Sequence, residues 1–286
     1  MSAFQEYELE KTSTESLSPE PPETHPVRRW IVPALATVAA ALAVYFLLIR
    51  RPAAPAPVST GAPKAAPASS SAGSLGGPAD QVDVPPLDDS DPLVRTMVRS
   101  LSSNPTIAKW LATNNLIRNF VVSVTNVADG ASPSKHLTVL RPSSQFQIFT
   151  RDGRQYIDPR SYDRYTPIAD AVASIDASGA ARLYATLKPR IEDANRELGV
   201  ADGGFDRTLE RALVTLLSTP VVSESIRVGP KGIGYGFADE RLEDLTAAQK
   251  QLARMGPRNV ERIEGKLREL AIALGIPAGE LPAGSK

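Results

Sequence analysis

The chain has 286 residues and no cysteine, and its 32 Lys and Arg residues balance its 32 Asp and Glu residues. The absence of cysteine excludes disulfide bonds, thiolate-bound metals and a cysteine nucleophile. The balanced charge, and the lack of any RNP, zinc-finger or Arg-rich motif, argue against nucleic acid as a partner.

The first feature along the chain is an uncharged apolar stretch. Residues 1–29 form a mostly polar tail that we expect to be disordered, and Trp30–Ile49 follows without a charge. At about 1.5 Å per residue this stretch is about 30 Å long, which matches the hydrocarbon core of a bilayer. Trp30 and Tyr45 lie near its ends, where amphipathic rings favour the interface. The pattern predicts a single-pass transmembrane helix over 30–49, in contact with the lipid bilayer.

The flanking charges do not decide the orientation of this helix. Arg28 and Arg29 precede the stretch, and Arg50 and Arg51 follow it, so the positive-inside rule gives a tie. A short tail before one uncleaved span commonly stays in the cytoplasm. We therefore expect an inner-membrane protein with a cytoplasmic N-terminus and a periplasmic domain, and the reversed topology remains the alternative.

Residues 50–86 are rich in Pro, Ala, Ser and Gly. Such a composition buries too little apolar surface to offset the entropy of ordering. The sequence predicts a disordered linker that separates the membrane from the rest of the chain.

Residues 87–283 are predicted to fold as one mostly helical domain with two short β-hairpins. Apolar residues recur at helical spacing, and capping residues, glycines and prolines divide the pattern. Asp152-Gly153 predicts the turn of the first hairpin, and Gly229 to Gly232 that of the second. The first predicted helix follows Ser90. Two more run from Pro105 to a break near Asn114 and from that break to Gly130. The others cover residues 161–175, 178–199 and 205–219 and the segments on both sides of Gly256-Pro257.

The polar segment after the first hairpin is the candidate site. It places Asp158, Arg160, Asp163 and Arg164 on a loop and a helix start, where functional residues are frequent. His136 and Arg141 precede the hairpin and could face this segment. The simpler interpretation is a turn held by local ion pairs. No phosphate-binding loop, HExxH motif or G-x-S-x-G elbow is present, so no metal or cofactor is expected.

Several segments together resemble a known bacterial family. They are LDDSDPLVR, LIRNFVVSVTNVADG, KHLTVLRP, YIDPRSYDRYTPI, LYATLKPRIEDANRELG and, most specifically, FADERLEDLTAAQKQLARMGPRNVERIEGKLREL. The resemblance is to the envelope-associated, membrane-anchored domain of unknown function 3014, and it covers about residues 85–274. It implies the same order of tail, span, linker and domain. The family has no established activity, so no residue role is carried over.

Two functional hypotheses follow from these features. The first is a non-enzymatic interaction or scaffold domain, held on a stalk and bound to a protein partner in the cell envelope. The second is an envelope enzyme with a polar cleft around Asp158, Arg160, Asp163 and His136. The first needs no catalytic motif, and the second needs these side chains to converge.

Overall fold

The structure is a computed structural model that describes residues 74–199, 204–232 and 234–284. The predicted span, Trp30–Ile49, and the predicted linker up to residue 73 lie outside these residues. Among the helices that are described, none is long and apolar enough to cross a membrane.

The described chain is mostly helical, with one small sheet. The helices are α1 (Asp91–Leu101), α2 (Pro105–Leu111), α3 (Leu116–Ala128), α4 (Arg160–Asp163), α5 (Thr166–Ala173), α6 (Ala177–Glu197), α7 (Gly204–Leu217), α8 (Glu240–Glu243), α9 (Ala247–Ala253) and α10 (Pro257–Leu274). The strands are β1 (Ile148–Arg151), β2 (Arg154–Ile157), β3 (Arg227–Lys231) and β4 (Gly234–Phe237).

The main core lies between α1, α3, α6, α7 and α10. Its buried members include Leu116 and Val121 of α3, Leu187 of α6 and Phe205 of α7. The long helix α6 lies against α1, α3 and α10, and it is continuous through Pro189. Each of these helices directs its apolar stripe inward, which is the arrangement that the helical periodicity predicts.

The junction between α1 and α3 is built by one ion pair. The Asp91 carboxylate accepts hydrogen bonds of 2.8 Å from the backbone N–H groups of Asn115 and Leu116, which are otherwise unpaired at the start of α3. Arg95 bonds Asp91 at 3.2 Å and also donates to the Leu111 carbonyl at 2.8 Å. Asp91, at the start of α1, therefore caps the N-terminus of α3.

The two predicted hairpins are present, and they join into a single antiparallel sheet in the order β1-β2-β3-β4. The link is a short pairing of Gln155 with Val228 and of Tyr156 with Arg227. A second apolar cluster, with Ile157, Val228 and Phe237, lies under one face of the sheet.

Two predicted boundaries were wrong. The helix predicted over 161–175 is divided into α4 and α5, because Pro167 lacks an N–H and takes the first turn of a new helix. The second hairpin turns later than expected: Lys231 pairs with Gly234, so the turn includes Gly232, whose φ is +58°. Glycine adopts a positive φ at little cost in conformational energy, which favours a turn at Gly232.

The folded domain also begins earlier than predicted. Residues 74–86, which we call the strap, lie against α6 and α10 instead of forming the end of a disordered linker. The Gly76 N–H donates to the Leu274 carbonyl at 2.9 Å, and the Asp80 N–H donates to Thr186 Oγ1 at 2.9 Å. Gly76 has a φ of +96°, and a Cβ there would lie 2.8 Å from the Ala181 carbonyl oxygen. Composition alone predicts disorder because it does not show these specific contacts.

Removal of the strap is expected to weaken the domain. A chain of residues 74–286 should be more stable than one of residues 87–286 by roughly 1–3 kcal/mol, because hydrogen bonds of about 1 kcal/mol each and the packing of Leu75 and Val84 outweigh the ordering entropy. Urea unfolding of both chains measures the difference, and Gly76→Ala in the longer chain should reproduce part of it. Equal midpoints would contradict a stabilising strap.

Candidate functional site

The predicted polar residues are only partly brought together. Asp158 is buried, and its carboxylate accepts hydrogen bonds from the Arg160 backbone N–H at 2.9 Å and from Arg160 Nη2 at 2.6 Å. The Arg160 side chain holds the pKa of Asp158 below its ordinary value. This geometry is a local turn with an ion pair, in which the carboxylate is already saturated with donors.

Asp163 and Arg164 point to different surroundings. Arg164 donates to the Ser144 carbonyl at 3.1 Å and lies 4.9 Å from the centre of the Tyr165 ring, so it fastens the loop before β1. Asp163 is exposed and lies at a shallow polar depression near Asp170 and Arg258.

His136 and Arg141 are exposed and lie on the loop between α3 and β1. In the part of the chain that the structure describes, no hydrogen bond or ion pair connects either residue to Asp158, Arg160, Asp163 or Arg164. Nor do three or more His, Asp or Glu side chains gather as metal ligands within that part. The six residues therefore do not form one polar cleft there.

A large apolar cavity, which the sequence did not predict, lies inside the helical core. Its volume is about 490 Å³, and it is partly open to solvent. This is within the range of about 300–1,000 Å³ that is typical of small-molecule sites. The walls come from α1, α3, α6, α7 and α10, with Trp110 of α2 and with Pro133 and Leu137 of the loop after α3.

The cavity wall contains no charged side chain. Its polar members are Ser123 of α3 and Tyr184 of α6. The Ser123 Oγ atom is buried and has no hydrogen-bond partner within the described residues. A buried hydroxyl without a partner costs about 1–3 kcal/mol, so Ser123 would gain a hydrogen bond if its side chain turned toward a polar group in the cavity.

Energetics favour an occupied cavity. Protein interiors are close-packed, with few voids larger than a water molecule. Where such a cavity is closed to water, empty volume costs about 24 cal/mol per Å³, so about 100 Å³ left unfilled would cost about 2 kcal/mol. Water gains little there because the wall offers so few hydrogen-bonding groups. An apolar ligand removes this cost.

One margin of the cavity is fixed by a polar cluster. The Tyr184 hydroxyl donates to Asp206 Oδ1 at 2.5 Å, and Lys188 pairs with the other carboxylate oxygen. Burial first, and the Asp206 hydrogen bond second, raise the pKa of Tyr184 well above its ordinary value. Lys188 also donates to Ser74 Oγ at 2.5 Å, so the cluster joins the cavity wall to the strap.

These features define a helical domain with an apolar internal cavity and a small four-stranded sheet. The model of the family described as protein of unknown function (DUF3014) matches residues 116–271, which is more than half of the chain, and the chain belongs to that family. No curated protein and no solved structure matches the chain. The family resemblance is thus confirmed, whereas the bacterial and membrane-anchored aspects stay predictions.

Proposed function

We propose that the chain is a membrane-anchored, non-enzymatic binding protein whose folded domain holds the acyl chain of a lipid in its apolar cavity. The observation that carries this proposal is the 490 Å³ cavity with an almost wholly apolar wall. The anchor is the stretch Trp30–Ile49, and residues 50–73 are the stalk.

The lining restricts the class of ligand. A charged head group inside the cavity would meet no countercharge, and its desolvation would be costly. An alkyl chain makes dispersion contacts with the whole wall, and one hydroxyl or ester oxygen can bond Ser123 Oγ. The bilayer beside the proposed anchor is the nearest source of such chains.

The proposed location is the inner membrane, with the domain in the periplasm and a protein partner in the cell envelope. Because the chain has no cysteine, Ser70→Cys provides a unique thiol on the stalk, and Ser16→Cys provides one in the N-terminal tail. With the inner membrane intact, a membrane-impermeant maleimide should label only the stalk thiol. Labelling of the tail thiol alone would reverse the topology.

Ligand binding can be followed with the chain's own fluorescence. Trp110 lines the cavity and is the only tryptophan in residues 74–286. Once cooperative unfolding shows that this chain folds, it is titrated with hexadecanol. We expect a saturable shift in Trp110 emission, and Ser123→Ala should weaken the affinity about 5- to 10-fold, since one hydrogen bond is worth about 1 kcal/mol. No saturable change with wild type would contradict acyl-chain binding.

A further inference from the structure

The face of the sheet that points away from the core carries a distinct group of side chains. Because side chains alternate along a strand, the register places Phe149, Arg151, Arg154, Tyr156, Arg227 and Lys231 on one face. The opposite face holds Ile157, Val228 and Phe237 and packs on the core. We call the outward group the basic sheet face.

Two aromatic rings lie at the centre of the basic sheet face. Phe149 and Tyr156 are stacked, with ring centres 5.5 Å apart and planes inclined by 19°. The Arg151 guanidinium lies 5.0 Å from the centre of the Tyr156 ring, and Arg227 is the neighbour of Tyr156 in register. Such a contact holds a guanidinium over the ring without neutralising its charge.

The cations on this face are only partly compensated. Lys231 pairs with Glu243 of α8, and Arg227 lies close enough to Asp239 to help lower the pKa of that carboxyl group. Arg151 and Arg154 are exposed and form no ion pair with any residue that the structure describes. No acidic residue occupies a strand position on this face.

The glycines of the second hairpin leave part of this sheet face without side chains and uncovered. A Cβ atom added at Gly229 or at Gly234 would meet nothing within 4 Å, so no described part of the chain covers the sheet at these positions. Near Gly236 the face is closed by Lys231 and Glu243. The open area thus includes β3 and the start of β4, and it continues onto β1 and β2, where Arg151 and Arg154 are exposed.

We propose that the basic sheet face docks on the anionic head groups of the membrane to which the chain is tethered. Guanidinium groups bind phosphate by paired N–H donors, and the amphipathic ring of tyrosine favours the level of the head groups. The stalk over residues 50–73 reaches about 75 Å as an extended polyproline helix, so the domain can return to its own membrane. This step rests on the proposed anchor but not on the cavity.

The expected strength follows from the number of cations. A basic residue near an anionic leaflet shifts the docking equilibrium about 5-fold, so three arginines shift it on the order of 100-fold. The effect should decline with salt, because exposed charges are screened beyond about 10 Å at 0.1 M ionic strength.

The test uses the full chain, reconstituted into vesicles of phosphatidylcholine alone or with phosphatidylglycerol. Ser143→Cys gives a unique thiol on the exposed loop before β1, and a donor dye there transfers energy to an acceptor lipid. We expect greater transfer in anionic vesicles than in neutral ones, and a loss of this difference when Arg151, Arg154 and Arg227 are changed to Gln. Alkaline extraction of the same vesicles reports insertion separately, so failure of the anchor is distinguished from failure of docking.

A matched control changes Arg99, Arg182 and Arg207 to Gln, which alters the net charge equally on exposed helical positions. It should keep the difference between anionic and neutral vesicles. An equal loss in both triple variants would show unspecific attraction and overturn the proposal. Equal energy transfer for the wild-type chain in both vesicle types would also overturn the proposal. A soluble anionic partner would then be the remaining candidate for this face.

Discussion

Filling the cavity from two walls is expected to abolish ligand binding while it stabilises the empty domain. Val124 of α3 and Leu213 of α7 both line the cavity, so Val124→Phe with Leu213→Phe places two rings in the space that an alkyl chain would take. We expect the affinity for hexadecanol to fall at least about 30-fold. The free energy of unfolding should rise by roughly 1–3 kcal/mol, because cavity volume costs about 24 cal/mol per Å³.

Val82→Phe with Leu198→Phe is the matched control, since it makes the same two changes at positions that are 43% and 45% exposed. Fluorescence titration and urea unfolding of residues 74–286 measure both quantities. The control should bind as wild type does and gain no stability. A filled variant that still binds would move the ligand elsewhere, and one that loses stability would mean that the core has no free volume to fill.

A second large effect is expected at Glu264, which is buried in α10. Its Oε1 atom has no hydrogen-bond partner within the described residues, and burial raises the pKa of its carboxyl group to about 7. The folded domain therefore keeps this proton up to about pH 7, whereas the unfolded chain releases it near the ordinary pKa of 4.5. Stability should fall as the pH rises between these values, because the folded state binds more protons there.

The expected loss between pH 4.5 and pH 7.5 is about 1–3 kcal/mol. Glu264→Gln should remove most of this dependence, and the variant should exceed wild type in stability at pH 8 but match it near pH 4.5. Urea midpoints across this range measure the effect. Glu261→Gln, at an exposed position of the same helix, removes only the smallest contribution to the raised pKa of Glu264, so it should keep most of the wild-type pH dependence. Parallel curves for wild type and Glu264→Gln would refute the assignment.

The helices follow from the sequence because their signals are local. Asn104-Pro105, Gly130 and Gly256-Pro257 mark boundaries that the structure reproduces, and apolar spacing identifies the inward face of each helix. The division at Pro167 was missed because helical spacing continues across it. The first hairpin was recognised from Asp152-Gly153, both of which have positive φ.

Non-local features could not be predicted in the same way. The pairing of Gln155 with Val228 joins segments that are distant in the chain, and no local pattern encodes it. The strap has the composition of a linker, and its order comes from partners on α6, α7 and α10 that composition does not show. Helical spacing predicted which face of α3 is apolar but did not show that the helices behind that face leave space. Ser123, a polar residue within that apolar stripe, was the available signal.

The candidate polar site illustrates the same limit. Proximity in sequence suggested local ion pairs in this segment, and the pair that forms is Asp158 with Arg160, two residues of one turn. It gave no information on His136 and Arg141, which depend on the path of the loop after α3. The enzyme hypothesis required their convergence, and the contacts described above do not provide it.

Native mass spectrometry of residues 74–286, purified from cells without added lipid, tests the central claim most directly. We predict that wild type carries a bound molecule of lipid or fatty-acid mass, that Val124→Phe with Leu213→Phe lacks it, and that Val82→Phe with Leu198→Phe retains it. A wild-type domain that stays at its unliganded mass, even after incubation with fatty acid, would contradict an acyl-chain site in the cavity.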